Sequence, residues 1–483
     1  MMPVSLLIAL LIAFGFEPRV AGVPPADVVA RVLETFGGVM LIASLAFGLG
    51  FWVAFRASHI GSTPSKLRQG YALGVRVITV LSLLVYGWII HSVGWSELVR
   101  TNWGLDGVVL FDDVVVFLPF LMIQLLVWWG LFFADRALQI RQGIGVERGL
   151  GRYLVLKARQ SLGLTLPVIL WYVLRRDVIR RLVPSWEASE MAEPIEMAVI
   201  GLVVLAMSPL FVRLAWPTYS LPPGALRRRL ERAAERVGFR FTDILVWDTG
   251  QMMVNACVTG ILPRFRYVLL SDALLDSLTP IESTAVFGHE IGHVAHRHFL
   301  YFAFFFMGSI GLLSVFGDLI TLVLPIVSES SWLGGGVLSI ALGLYFWFVF
   351  GHLSRRFERQ ADVFGSKVVS CETADCPPHT DLDNELAPLP TAARKPGLCP
   401  VGIRIFADAL TDVAQFNGLD RRKRSWRHGS IASRIAFLEA LERHPEREQD
   451  FQRGVRRLRL GLGLIFGVAI AISAVSQGWG LFR

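Results

Sequence analysis

Runs of about 20 apolar residues recur along this chain, and they restrict the folds open to it more than any other feature. A run of this length crosses the hydrocarbon core of a bilayer as one helix. Clear runs lie at 34–56, 71–91, 108–134, 194–215, 300–327, 332–351 and 459–480. The run at 3–16 is short and lacks a positively charged start, which favours a first span over a cleaved leader. The run at 161–174 is also short, and its crossing stays open.

The composition agrees with these runs. Hydrophobic residues make up 53% of the chain and charged residues 18%, whereas soluble domains carry about 25% charged residues. The net charge of +8 is concentrated in short segments beside apolar runs, where Lys and Arg orient a membrane protein. We therefore predict a polytopic membrane protein without a nucleic-acid partner. The 4 cysteines are too few for a disulfide scaffold, and the redox compartment stays open.

Basic segments at 56–76 and 136–159 predict the orientation in the bilayer. If both face the cytoplasm, the intervening loop at 92–107 faces outward, and Arg100 is its single Lys or Arg. This loop therefore obeys the rule that positive charge collects on the cytoplasmic side.

The arginine-rich segment at 175–192 breaks the same rule if 161–174 crosses the bilayer alone. A total of about nine spans places the polar segments 216–299 and 352–458 on the cytoplasmic side. These two segments together form the predicted soluble body.

The hexapeptide GHEIGH at residues 288–293 carries the candidate chemistry. On a helix, His289 and His293 lie one turn apart on one face and can share a metal ion. Glu290 lies about 100° around the helix and is free to act on a water molecule at the metal. Six residues can also arise by chance, so their surroundings decide whether the pattern is a zinc site.

The surroundings predict a well-started helix outside the bilayer. Thr279, Pro280 and Glu282 form a capping box that begins a helix running from Ile281 to about Phe299. Its polar residues make it unsuited to a membrane span. This disfavours an intramembrane protease, whose second motif would also have to follow the first, whereas the Leu-Asp-Gly triplet at 105–107 precedes it.

A zinc hydrolase needs three protein ligands and an open fourth position. The metzincin pattern requires Gly and His where this chain has His296 and Phe299, so that class is excluded. His296 lies roughly 10 Å further along the helix axis than His289 and cannot reach the same ion. His298 points to the opposite face, and we predict that both are surface or headgroup-level histidines.

A downstream helix offers the third ligand. Glu358 and Asp362 lie one turn apart, so the first can bind zinc while the second contacts the other nitrogen of a ligand imidazole. The alternative is a solvated charged helix whose arginines, such as Arg359, flank a membrane span. The presence of the HExxH pattern favours the metal interpretation.

These residues resemble the integral-membrane gluzincin peptidases, the family of the type I CAAX prenyl protease and the HtpX heat-shock protease. The resemblance is carried by the HEIGH motif, two following hydrophobic spans and the E-x-x-A-D pattern at 358–362. It extends to an N-A-x-x-x-G pattern at 255–260 and to HGSIASRI at 428–435, and covers roughly 217–300, 352–370 and 425–441. The implied fold class is a polytopic α-helical membrane protein with a small α+β zincin-like (gluzincin) catalytic domain split by two transmembrane helices.

The resemblance implies one Zn²⁺ per chain, bound by His289, His293 and Glu358, with Glu290 passing a proton from water to the leaving amine. It also implies catalytic roles for His428 and Arg434 near the oxyanion or the substrate chain. The implied substrate-binding residues are Asn255, Ala256 and Gly260, in an edge strand that binds an extended peptide. Without the resemblance, His428 would be read as a surface histidine in a basic stretch.

Two departures from the family pattern stand out. Gly429 replaces the usual proline after His428, which loosens the turn there. The proline-rich segment 371–400 is an insertion, and three cysteines and His379 within it could bind a second metal. Thiols or a single local disulfide are the favoured interpretation, because the spacing matches no standard zinc module.

The predicted division follows from the motifs and the spans. It comprises an N-terminal transmembrane region at 1–215 with about five to six spans, a first catalytic segment at 216–299, two transmembrane helices at 300–351, a second catalytic segment at 352–458 that includes the 371–400 insertion, and a C-terminal transmembrane helix at 459–483.

The predicted function is a zinc metalloendopeptidase acting on membrane or membrane-associated proteins, either in quality control or in processing of the prenyl-protein type. A catalytically silent zinc-binding scaffold or chaperone is the alternative. A transporter is disfavoured because few ionisable residues lie in the spans, chiefly Asp112, Asp113 and Asp318. The expected partners are a peptide or protein substrate and the lipid bilayer, and the oligomeric state stays open.

Overall fold

A computed structural model describes residues 2–14, 24–59, 64–105, 111–141, 149–173, 207–251, 253–306, 308–309, 343–370 and 398–480. The chain divides into two compact units, Met1–Thr218 and Tyr219–Arg483. Residues 371–397 of the insertion at 371–400 and most of the predicted runs at 194–215, 300–327 and 332–351 lie outside the described residues.

The first unit is built from long helices. They are α1 (Met2–Phe14), α2 (Val28–Ser58), α3 (Pro64–Trp88), α4 (Phe111–Arg141) and α5 (Leu150–Val173). Among the described residues, three helical stretches are long and apolar enough to cross a membrane, namely Val28–Ser58, Gln69–Val93 and Phe111–Arg141. They coincide with the predicted runs at 34–56, 71–91 and 108–134. The run at 161–174 forms the second half of α5.

Helices α2 and α4 approach each other at two glycines. A Cβ atom on Gly50 would lie 2.0 Å from the carbonyl oxygen of Gly130, and one on Gly130 would lie 2.7 Å from the backbone nitrogen of Phe47. Small residues at such crossings allow backbone-to-backbone packing between membrane helices.

At the start of α4, Asp112 and Asp113 lie 3.5 and 3.3 Å from the Arg100 guanidinium. These two acids therefore take part in a buried ion cluster.

The second unit combines a small sheet with helices. Its strands are β1 (Thr218–Ser220), β2 (Asp243–Trp247), β3 (Ala256–Thr259) and β4 (Tyr267–Ser271). Its helices are α6 (Ala225–Arg236), α7 (Asp272–Ser277), α8 (Pro280–Ala295), α9 (Gly351–Val368), α10 (Pro400–Phe416), α11 (Ile431–Arg443) and α12 (Glu446–Gly480). The strand order is β1-β2-β4-β3, with β2 parallel and β3 antiparallel to β4.

Helix α8 lies between two hydrophobic cores of this unit. On one side, Phe287 and Ile291 pack in the core that contains the sheet. On another side, Ile281 and Ala285 pack with Phe406 and other side chains of α9, α10 and α11. The helix is therefore held from both sides, which suits an element that carries functional side chains.

The predicted extent of α8 is wrong at its C-terminal end, which lies at Ala295 rather than near Phe299. Arg297 has φ 53°, a left-handed conformation that ends the helical path, and residues 298–306 then form a new helical segment. The helical periodicity of α8 therefore does not extend to His298 and the residues after it.

Candidate metal centre

The start of α8 is stabilised by the predicted capping box. The backbone nitrogen of Thr279 donates to Glu282 Oε2 at 2.9 Å, and the Thr279 side chain accepts from the Glu282 backbone nitrogen at 3.4 Å. Pro280 occupies the first turn, where its missing N–H costs nothing. The capping box therefore fixes where the helix begins and, through it, the rotation of His289 and His293.

Helix α9 brings Glu358 to the two histidines. His289 Nε2 lies 3.2 Å from His293 Nε2, and each of these nitrogens lies 3.8 Å from a carboxylate oxygen of Glu358. Tetrahedral zinc with ligands at about 2.0–2.1 Å separates its donor atoms by roughly 3.3 Å. Two imidazole nitrogens and one carboxylate in this arrangement fit a divalent metal ion of the zinc type.

Small residues let α8 and α9 approach closely enough for this cluster. A Cβ atom on Gly292 would lie 3.2 Å from Ala361 Cα, and one on Gly288 would lie 2.8 Å from Val368 Cβ. On the facing helix, a Cβ atom on Gly365 would lie 2.8 Å from the Ala285 carbonyl oxygen. We call these three glycines the glycine seam, and larger residues at its positions would separate the two helices that supply the ligands.

The predicted partner of the ligand imidazole lies beside His289. Asp362 Oδ1 is 3.0 Å from His289 Nδ1, and the Asp362 side chain is buried. Burial disfavours the charged imidazolium, but the adjacent Asp362 carboxylate raises the pKa of His289 above its usual value. With Nδ1 directed at Asp362, the other nitrogen of His289 faces the cluster.

Arg434 lies behind the ligands rather than at an open surface. Its guanidinium forms two hydrogen bonds with Asp362, one of them at 2.8 Å, and lies 3.6 Å from Glu358 Oε2. Burial favours protonation of Asp362, but the charge and hydrogen bonds of Arg434, together with the contact to His289, outweigh it and keep the pKa of Asp362 below its usual range. Arg434 therefore neutralises the carboxylates and holds Asp362 in place.

His428 contacts the other carboxylate oxygen of Glu358. Its Nδ1 lies 2.9 Å from Glu358 Oε1, and half of its side chain is exposed. Although burial opposes ionisation, contact with His428 and the nearby charge of Arg434 lower the pKa of Glu358 below its usual range. An ionised Glu358 can bind a metal, and an exposed His428 remains accessible to a substrate.

Glu290 has the electrostatics of a group that exchanges protons near neutral pH. Burial raises the pKa of Glu290 from 4.5 to about 7, and the negative charge of Glu358 adds to this rise. The pKa of His293 is lowered to about 4, first by burial and then by the charge of His289. His293 is therefore a neutral imidazole with a lone pair available for a metal.

The prediction that His298 is a surface or headgroup-level histidine is wrong. After the left-handed residue Arg297, the His298 side chain is 1% exposed, and its ring stacks on Phe357 at a centroid distance of 4.2 Å. His298 Nδ1 lies 2.9 Å from His293 Nδ1. Helical periodicity alone could not find this contact, because the helix ends before His298. His296 is partly exposed.

The predicted substrate-binding residues lie at the last strand of the sheet. Asn255 is exposed and immediately precedes β3, which begins at Ala256 and lies at the sheet edge in the described chain. Gly260 has φ 94°, and a Cβ there would lie 2.1 Å from the Phe265 carbonyl oxygen, so the turn after β3 requires glycine. Cys257 follows Ala256 on β3 and lies near Glu290. Burial, and then the negative charge of Glu290, raise the pKa of the Cys257 thiol to about 12.

Comparison with known proteins agrees with the geometry. Residues 220–391 match the family described as Peptidase family M48. CAAX prenyl protease 1 of Saccharomyces cerevisiae is 32% identical over 103 residues, which are 21% of this chain and 23% of that protein. Protease HtpX of Tolumonas auensis is 30% identical over 156 residues, which are 29% of this chain and 52% of that protein. The chain therefore matches only part of the length of these relatives.

A solved structure shows the same fold over most of the chain. The crystal structure of S. mikatae Ste24p aligns with a TM-score of 0.50 at 16% identity, covering 84% of this chain and 98% of that chain. The fold is that of a membrane protein with a zincin-like domain, and His289, His293 and Glu358 form its candidate metal site. The match of residues 220–391 to Peptidase family M48 agrees with the predicted family, and the predicted fold class is confirmed.

Proposed function

We propose that this protein is a zinc metalloendopeptidase that hydrolyses peptide bonds of membrane or membrane-associated proteins. The observation that carries the proposal is the cluster of His289, His293 and Glu358 on two closely packed helices, with Glu290 on the first of them. When bound, zinc supplies Lewis-acid polarisation of a carbonyl oxygen and lowers the pKa of a water molecule.

The protein's own residues supply the proton transfers. Glu290 takes a proton from the attacking water and returns it to the leaving amine, a role for which a pKa near neutrality is well matched. His428, half exposed beside Glu358, donates to the oxygen that gains negative charge. Arg434 contributes its positive charge from behind the ligands and keeps Asp362 against His289.

The edge strand β3 supports a binding mode for the substrate. An extended peptide would add to its free edge through backbone hydrogen bonds, beginning at Asn255 and ending at the turn at Gly260. Cys257 lies near Glu290, which indicates that this strand runs beside the reacting groups. The scissile bond would then lie between the strand and α8.

Two substrate classes follow from the names of the relatives. The CAAX prenyl protease suggests processing of prenylated proteins, and the HtpX proteases suggest a second route, which we take to be turnover of damaged membrane proteins. The catalytic segments 216–299 and 352–458 would face the cytoplasm, flanking two transmembrane helices at 300–351. Reporter fusions at the C-terminus and in the loop at 92–107 would test this orientation.

The central test is the substitution Glu290→Gln in the full-length protein. It should keep zinc bound and lower cleavage of casein by on the order of 10²–10⁴-fold, because the amide cannot accept the water proton. Glu439→Gln, at an exposed position on α11, is the matched control and should cleave at the wild-type rate. A zinc-loaded Glu290→Gln variant that cleaves as fast as wild type would refute the mechanism.

The alternative is a scaffold or chaperone that retains zinc without catalysis. It predicts bound zinc but no chelator-sensitive cleavage of any unfolded protein by the wild-type chain. Trapping with Glu290→Gln in native membranes, followed by mass spectrometry of the captured proteins, would then identify the substrate class.

A further inference from the structure

His298 is held in one orientation by its buried surroundings. Its ring lies nearly parallel to that of Phe357, with an interplanar angle of 5°. Its Nδ1 faces His293 Nδ1 at 2.9 Å, and its Nε2 faces Gln360 Oε1 at 3.1 Å. Both ring nitrogens are therefore engaged, one of them with a candidate metal ligand.

Arg459 determines which way these hydrogen bonds point. A guanidinium can only donate, so the atom of Gln360 that Arg459 contacts must be the amide oxygen. An amide oxygen can only accept, and His298 Nε2 contacts the same oxygen. The Nε2 atom of His298 therefore carries a hydrogen and donates it to Gln360.

The donor and acceptor roles of the His298 nitrogens determine the tautomer of His293. A neutral imidazole has one donor and one acceptor nitrogen, so His298 Nδ1 is the acceptor and His293 Nδ1 carries the hydrogen. The lone pair of His293 consequently lies on Nε2, the atom that is 3.2 Å from His289 Nε2 and 3.8 Å from Glu358. This is the tautomer that can bind a metal through Nε2.

We propose that Arg459, Gln360 and His298 form a hydrogen-bond relay that orients His293 and fixes its metal-binding tautomer. The relay does for His293 what Asp362 does for His289, and it rests on the proposed metal site. Arg459 lies on α12 over the rings of Tyr301 and Phe357, at 5.0 and 5.7 Å. His298 is thus a positioning residue that acts through His293.

Paired amide substitutions of His298 test the relay. Asn places its oxygen near the position of Nδ1 and retains an acceptor for His293, whereas Gln reaches Gln360 but not His293. Leu removes both contacts. Zinc affinity of the full-length variants in detergent is measured by competition with a chromophoric chelator, and the melting temperature of each metal-free variant is recorded in parallel.

We expect zinc affinity to be highest for wild type, lower for His298→Asn, and lowest for His298→Gln and His298→Leu. Loss of such a partner weakens metal binding by about 10–100-fold, and we expect this loss for Gln and Leu. His352→Asn, at an exposed position on α9, is the control and should bind zinc like wild type. The Asn and Gln variants carry the same functional group, so their comparison remains decisive if the Leu variant folds poorly.

Equal zinc affinity of the Asn and Gln variants, or wild-type affinity of the Leu variant, would overturn the relay. The proposed function can fail separately, because a wild-type protein that binds zinc without cleaving peptides still allows the affinities to be compared. A wild-type protein that binds no zinc would refute both.

Discussion

Buried charges of both signs meet around Glu290, and their balance sets its affinity for a proton. Burial and the negative charge of Glu358 raise the pKa of Glu290, whereas His289 and Arg434 lower it. Burial dominates, which leaves the pKa at about 7. A carboxyl group in this state is costly for folding but suited to proton transfer, as is common at catalytic sites.

This cost predicts a pH-dependent effect of Glu290→Gln on the metal-free protein. The pKa of Glu290 rises from 4.5 to about 7 on folding, so its stabilising contribution is complete below pH 4.5 and is lost as the pH rises through 7. Gln is neutral throughout. The free energy of unfolding of the metal-free variant should therefore exceed that of the metal-free wild type by on the order of 2–3 kcal/mol at pH 8, and by much less at pH 5.

Thermal unfolding in a chelator at pH 5 and pH 8 measures this difference. Glu439→Gln, at an exposed position on α11, should have the same melting temperature as wild type at both pH values. An advantage of Glu290→Gln that is the same at both pH values would show that ionisation of Glu290 is not its cause.

Packing of α8 against α9 is the feature that assembles the ligands. The sequence predicts both helices and the residues on their functional faces, because His289 and His293, like Glu358 and Asp362, are four residues apart. It also predicts the capping box at Thr279. The glycine seam could not be recognised as a contact, since glycine occurs in this chain for several other reasons, including turns such as that at Gly260.

Gly365→Ala should separate these helices. Its Cβ would lie 2.8 Å from the Ala285 carbonyl oxygen and 3.0 Å from the His289 backbone nitrogen, and backbone atoms cannot rotate away. We expect a loss of about 1–3 kcal/mol in stability together with weaker zinc binding. Melting temperature and zinc titration measure the two effects.

Gly454→Ala on α12 is the matched control. The nearest atom to its added Cβ is at 3.9 Å, at the end of the Arg356 side chain, so the helix should gain from alanine, by roughly 0.5–1 kcal/mol. If Gly365→Ala behaved like Gly454→Ala, close packing at the seam would not be needed for the site.

In the second unit, the proposed metal ligands come from two helices, α8 and α9, that are separated along the chain by residues 296–350. The unfolded chain cannot hold these three side chains together, so zinc should bind the folded protein far more tightly. Binding at a free zinc concentration of 100 times the dissociation constant stabilises a protein by about 2.7 kcal/mol. A metal ion bound at the proposed site would thus link the two helices of the second unit.

Removal of the metal should accordingly lower the melting temperature of the purified protein, and restored zinc should raise it again. His293→Ala lacks a candidate ligand, so its melting temperature should change little when the metal is removed or when zinc is added. A wild-type melting temperature that is independent of zinc would contradict a metal link between α8 and α9.

Local patterns in the sequence predict the membrane class, the two helices of the candidate metal centre and two strands of the sheet. Long apolar runs, helical spacing and capping residues are local patterns, and local physical chemistry decides them. The stretches FRFTDILVW at 239–247 and FRYVLLSD at 265–272 are rich in β-branched, aromatic and aliphatic residues and predict strands, and β2 and β4 lie within them.

Tertiary packing decides which side chains lie behind the candidate ligands. The sequence predicts Asp362 as a partner of a ligand imidazole, but not that Arg434 would be buried against it. His298 is the clearest case, since one left-handed residue, Arg297, turns an apparently exposed histidine into a buried neighbour of His293. Such contacts depend on how separate helices pack and where the chain reverses, and neither has a local signature.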